Sequence, residues 1–321
     1  MENPWILFNK DLYWVLWSNL HDVIFEFVIR NSILAIRFDP VTDPGAPTSE
    51  INLSYSKNRL SVLRQLLVTL LTLPIFIAYP LVRFKALEKE IIRKPSPGLT
   101  AYPDERWFYI NGVITDVGWL DQNCKYLEKR FGRGVVGILN RSYGAFWDLV
   151  ESVLQRSFDI ETISVRWAAW NILPSLRDDN IKTVRLIAHS QGAIIAHLAI
   201  KKLYTELSCT GEQDYLKKLE VYTFANAARD FLNPGNLIRR IEHYANSQDP
   251  VCKIGVLARL DSDRFQGKVF INEKRNKGKG HFFNSFYSLV ESDYIPARSS
   301  SDIPTLLQMP GHVSNLPIQI D

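Results

Sequence analysis

The chain predicts an α/β fold, with a mostly parallel central sheet covered by helices on both faces and an apolar helical N-terminal extension in front. Three observations lead there. From about residue 104, short β-branched or aromatic runs alternate with longer helical patterns, as expected of a sheet buried on both sides. One run, "TVRLIA" (183–188), passes directly through His-Ser-Gln-Gly into the apolar helix-former "AIIAHLAI". And 321 residues, 46% hydrophobic and 22% charged, suffice for one large folded domain with additional elements.

Residues 1–36 are rich in Trp, Phe, Leu and Ile with isolated charges. They read as helix, packed on the main domain or lying at an interface. Lys10, Asp11, Asp22 and Glu26 interrupt the apolar stretch and no basic start precedes it, which argues against a secretory signal. Pro, Gly, Asp and Ser mark 37–58 as a loop. Next, "QLLVTLLTLPIFIAYPLV" (65–82) holds no charge and is flanked by Arg64 and Arg83.

That segment sits at the short end of what a spanning helix needs, about 20 residues, and Pro74 and Pro80 would kink or break it. One span, a shallow hairpin in one leaflet and a buried helix pair compete; membrane contact is the expectation. If it spans, Arg83, Lys85, Lys89, Arg93 and Lys94 outnumber Lys57, Arg59 and Arg64. This places the C-terminal part in the cytoplasm, as an intracellular, membrane-associated protein.

A Pro-rich linker ("KPSPGLTAYPDE") separates an extension (1–100) from the expected catalytic domain (101–295); a loosely packed tail (296–321) follows. The strand-like runs are 106–113, 134–140, 163–167, 183–188, 219–226, 241–247 and 268–273. Helical patterns such as "WLDQNCKYLEKRF", "AFWDLVESVLQRSF", "GAIIAHLAIKKLYTEL" and "FFNSFYSLVESDY" lie between them.

Composition excludes several functions. A net charge of +4, dispersed, gives no nucleic-acid footprint. Cys124, Cys209 and Cys252 lack CxxC spacing, against a zinc site or disulfide scaffold and compatible with a reducing compartment. There is no GxxxxGK[ST] or HExxH motif.

"LIAHSQGAII" has the shape of a nucleophile elbow: a buried strand, a sharp turn and a helix starting at the serine. The turn lifts Ser190 above the sheet edge. It also puts the Gln191 N–H at a positive helix terminus, where an oxyanion would form. Ala188 stands where the usual GxSxG pattern has its first glycine.

A serine nucleophile needs a base, and the base an orienting acid. Asp249 follows the strand "IEHYANS" and so reaches the sheet edge of the elbow; Asp261 and Asp263 are its rivals. Beyond it lie two histidines, His281, after a strand and the loop "KRNKGKG", and His312, with no strand before it. His281 is the expected base. His189 lies inside the elbow, His197 on an apolar helix and His243 mid-strand, all poorly placed. Gly112, ending "WFYINGV", permits a turn that points the Val113 N–H into the site as a second oxyanion donor.

On "YINGV", "AHSQG", "ANSQDPV" and "KGKGH", in that order, the chain resembles the α/β-hydrolase superfamily, particularly its lipase-like serine esterases, over roughly 104–290. "GILNRSYGAFWDLVESVL" is similar to the fourth strand and helix of some members. The resemblance implies Ser190 as nucleophile, Asp249 as acid, His281 as base and the Val113 and Gln191 N–H groups as oxyanion hole, with no metal or organic cofactor. It does not fix the substrate. The apolar segments favour an acyl ester of lipid type, and Lys274, Arg275, Lys277 and Lys279 could greet a phosphate or an anionic membrane. An acyltransferase using the same acyl-enzyme, and a silent hydrolase fold that binds a lipid or a partner, stay open.

Overall fold

The computed structural model describes residues 58–63, 67, 91–99, 101–142, 145–273, 280–298 and 302–311. The expected helix at 1–36, the loop before residue 58, all of 65–82 except Leu67, the basic cluster at 274–279 and His312 lie outside the described residues.

The strands are β1 (Ile92–Arg93), β2 (Glu105–Ile110), β3 (Val135–Ile138), β4 (Thr183–His189), β5 (Leu219–Phe224), β6 (Arg240–Asn246), β7 (Lys268–Asn272) and β8 (Ile295–Pro296). After a short helical segment at 58–63, the helices are α1 (Val117–Phe131), α2 (Ala145–Phe158), α3 (Ile163–Arg177), α4 (Gln191–Cys209), α5 (Pro250–Ile254) and α6 (Phe283–Phe286). The strands form one sheet in the order β1-β3-β2-β4-β5-β6-β7-β8. Pairing is parallel from β3 to β7, and only β1 and β8 add antiparallel edges.

Every residue of β4 and β5 is buried, as central parallel strands covered on both faces must be. After β2 the chain adds β3 on one side, then returns to add β4 on the other. The order therefore reverses between β2 and β4, and a ligand crevice opens at the carboxyl ends of strands that diverge in this way. Ile110 pairs with Ala188 in the register, so the loop after β2 and the turn after β4 start side by side. α1 packs on β3 and α6, while α3 and α4 pack on each other and both contact β2 and β4. This is the α/β-hydrolase fold.

Three sequence expectations need correction. Residues 163–167 are the first turn of α3, not a strand. Thr162 is its extended N-cap, and the buried positions Val165, Ala168, Ala169, Ile172 and Leu176 follow a helical period that the five-residue run is too short to display. The "FFNSFYSLVESDY" pattern holds only the one-turn α6 and a later 3-10 turn at 291–293, because its aromatic side chains are spent on the core rather than on one helical stripe.

The tail does not pack loosely as far as residue 311. Leu306 and Leu307 are buried. Arg130 donates to the carbonyls of Leu289 (3.0 Å), Leu307 (2.7 Å) and Met309 (3.1 Å), and Arg133 donates to that of Pro310 (2.6 Å). A segment without apolar periodicity is held through its backbone by guanidinium forks.

Candidate active site

Ser190 has φ 58° and ψ −124°, a region that side chains other than glycine rarely occupy. The surroundings enforce it. The Ser190 N–H donates to the Phe224 carbonyl and the Ser190 carbonyl accepts from Ala193 N–H, both at 2.9 Å. A Cβ on Gly192 would lie 2.5 Å from the carbonyl oxygen of Ile110 and 2.7 Å from that of Asn111. One on Gly112 would lie 2.6 Å from the Ser190 Cβ. These two glycines let the 110–113 loop and the elbow touch. Ala188 is fully buried inside β4, where its methyl fits.

The structure brings Ser190, His281 and Asp249 together. His281 Nε2 lies 2.8 Å from Ser190 Oγ, and His281 Nδ1 lies 2.8 Å from Asp249 Oδ2. Asp249 is fully buried and caps α5, its Oδ1 accepting from Val251 N–H at 2.8 Å. Its Oδ2 also accepts from the Tyr287 hydroxyl at 2.5 Å. Burial, reinforced by the Asp249 charge, holds the Tyr287 phenol well above its ordinary value, so it stays a donor. With a carboxylate facing Nδ1, the proton sits on that nitrogen and Nε2 is left to accept from the serine hydroxyl.

The other described histidines have structural partners. His189 is buried, and Nε2–H donates to the backbone carbonyl of His281 at 2.8 Å; the two rings lie 4.8 Å apart. Burial first, then the neighbouring His281, hold it well below 6.5, so it is neutral and fixes the segment carrying His281. Burial lowers His197 to about 4, and its Nε2 accepts from Leu232 N–H at 3.1 Å. Burial likewise lowers His243 to about 4, between Thr223 Oγ1 (2.7 Å) and the Gln266 carbonyl (3.0 Å). Asp261 and Asp263 are exposed, and Asp261 lines a separate cavity of about 450 Å³ with Arg229, Arg259 and Arg264.

Gln191 opens α4, so its backbone N–H has no partner inside the helix. Its side chain joins a buried amide chain. Asn140 Nδ2 donates to Gln191 Oε1 (2.7 Å), Gln191 Nε2 to Gln155 Oε1 (2.8 Å) and Gln155 Nε2 to Thr162 Oγ1 (2.9 Å). At the other end, Asn111 Oδ1 accepts from Asn140 N–H and Asn111 Nδ2 donates to the Asn140 carbonyl, each at 2.8 Å. The ends of β2 and β3 are thereby tied to the start of α4. Val113 lies in the loop that touches Ser190. The next residue, Ile114, has φ 59°, unusual for a β-branched side chain, and its N–H donates to buried Asp148 Oδ2 at 2.8 Å.

Sequence reasoning missed Tyr287, Asp148, Asn140 and Gln155, which act through others from distant parts of the chain. It also passed over the hydrogen bond by which His189 supports the segment carrying His281. Among the described residues no group of three or more His, Cys, Asp or Glu could hold a metal ion.

The fold and the family comparison define a class, a hydrolase of the α/β-hydrolase fold. The family described as "Putative serine esterase (DUF676)" matches residues 150–233. This stretch contains the whole elbow with Ser190, but not Asp249 or His281. A solved structure described as "Pyrobaculum calidifontis esterase monoclinic form" is 14% identical, covering 57% of this chain and 73% of that one with a TM-score of 0.33. No curated protein matches the chain.

Proposed function

We propose that the protein is a serine esterase that cleaves an acyl ester, of lipid type, through Ser190, His281 and Asp249. The observation that carries this reading is the unbroken line from Ser190 Oγ through the His281 ring to Asp249 Oδ2, both links 2.8 Å. His281 Nε2 takes the hydroxyl proton as Ser190 Oγ bonds to the acyl carbon, and the carbonyl oxygen becomes an oxyanion. The backbone N–H groups of Gln191 and Val113 receive it; donors of this kind are worth on the order of 3 kcal/mol each in the transition state. As the tetrahedral intermediate collapses, the bond to the leaving alcohol breaks and His281 hands that alcohol the proton. Water, deprotonated by the same nitrogen, then releases the acid and restores Ser190. Asp249 keeps the imidazole oriented and stabilises its charged form.

The chemistry needs no cofactor. The uncharged 65–82 segment supports a water-insoluble ester and membrane contact, and the basic excess that follows it supports an intracellular setting with the catalytic domain on the cytoplasmic side. Labelling of the purified protein by a fluorophosphonate probe tests the mechanism. Wild type is expected to label, and Ser190→Ala and His281→Ala are expected to lose the signal. A folded wild type that does not label would sink the mechanism; labelling that survives His281→Ala would mean another base.

A further inference from the structure

The short helix at 58–63, helical again at Leu67, is inverted in its amphipathicity. Its uncharged polar residues, Asn58 and Ser61, face the protein. Buried Asn58 accepts through Oδ1 from Trp119 Nε1–H (3.2 Å) and Gln122 Nε2–H (2.9 Å), and buried Ser61 donates to Asp116 Oδ2 (2.7 Å). Leu60, Leu63 and Leu67 are 66%, 63% and 53% exposed. At 3.6 residues per turn Leu60 and Leu63 fall about 60° apart, on the side away from Asn58. A surface helix of a globular protein normally does the reverse.

We infer that this leucine face lies on a lipid bilayer and brings the catalytic rim to the membrane surface. Three observations select a bilayer as the occupant. From Leu67 the chain runs on without a charge to Val82, so the apolar face leads directly into an uncharged segment. Exposed Arg59 stands beside the stripe, and Arg64, Arg83 and Lys85 bracket the uncharged run, matching anionic headgroups. Arg93, by contrast, is withdrawn from that basic set, its guanidinium held by Glu128 Oε1 at 2.5 Å and Asp121 Oδ1 at 3.0 Å.

The helix is also keyed to the rim rather than to a remote surface. Asp116 caps α1 just after the 111–115 loop. Trp119, which holds Asn58, packs at 5.6 Å on Phe282, the neighbour of His281. A bilayer under the stripe therefore lies on the side of the molecule that carries Phe282 and His281, from which an ester with its acyl chains in the lipid would approach. The choice of substrate rests on the esterase reading above; the docking does not.

The test uses the full chain with Cys209→Ser to remove the exposed thiol and an environment-sensitive NBD label at Leu63→Cys or, as a control, at exposed Asp214→Cys. Vesicles of phosphatidylcholine with phosphatidylglycerol are added, and Ser190→Ala is run in parallel. The expected result is flotation with the vesicles, with a blue shift and rise in emission at position 63 but not at 214, in both backgrounds. Absence of flotation, or flotation without a shift at 63, overturns the inference. A label already shifted before lipid is added overturns it too, naming a second copy as occupant if dilution reverses the shift and the chain itself if it does not. Absence of fluorophosphonate labelling in the protein that keeps Ser190, with the shift intact, overturns the esterase reading alone.

Discussion

Tyr287→Phe removes one hydroxyl and leaves the ring, which packs 5.7 Å from His189 and 5.9 Å from Phe224. The perturbation therefore falls on Asp249, whose Oδ2 is shared between Tyr287 at 2.5 Å and His281 Nδ1 at 2.8 Å. A hydrogen bond to a charged group is worth about 1.5–3 kcal/mol, and the folded state should lose about that much, since the carboxylate is fully buried. Catalysis should fall with it, because Asp249 then orients His281 with one anchor fewer; a loosened imidazole is expected to cost about tenfold in kcat/KM. The assay is steady-state kinetics with a soluble p-nitrophenyl ester beside urea denaturation. An unchanged kcat/KM while stability falls would reduce Tyr287 to a packing residue; unchanged stability would refute the hydrogen-bond argument outright.

Gly192→Ala puts a methyl against two backbone carbonyls at 2.5 and 2.7 Å, so the elbow must shift; kcat/KM should fall roughly 100-fold in a protein with an unchanged circular dichroism spectrum. Asp148→Ala deprives the Ile114 N–H of its acceptor and releases the strained loop beside Val113; with steady-state kinetics on the same ester, kcat should fall about tenfold with little change in KM. His197 and His243 are lowered to about 4 by burial, so as pH falls below 6.5 the unfolded chain binds protons that the folded one refuses. Each should cost about 2 kcal/mol of stability between pH 7 and pH 5, a loss that urea denaturation at the two pH values measures.

The elbow was legible because its requirements are local: a buried strand, a turn of small residues and a helix must follow one another in the chain. Asp249 and His281 were legible through topology, since a parallel sheet delivers every strand's carboxyl end to the same edge. What escaped was set by tertiary contact. Val165 and Trp167 fit a strand over five residues, and only the longer period through Leu176 and the packing of α3 on α4 make them helical. Tyr287 reaches the acid through a chain path of 38 residues, with no spacing to announce it. The tail showed no apolar period because its carbonyls, present in any sequence, are what the protein grips.

That grip has a consequence for how the molecule comes into being. Arg130 lies in the last turn of α1 but binds carbonyls 177 and 179 positions later, at Leu307 and Met309. Glu242, fully buried in β6, likewise waits for Thr305 N–H, 63 positions on. On a ribosome, β2 to β5 and the serine turn emerge first, while Arg130 still lacks the carbonyls of Leu307 and Met309; Glu242 follows with only its local partners Tyr244 and Arg240. The nascent chain must carry an open seam along one face of α1 until residue 309 has cleared the exit tunnel. Closing that seam is a late event of synthesis, and a chain stalled short of it would present unsatisfied arginines to whatever binds unfinished proteins.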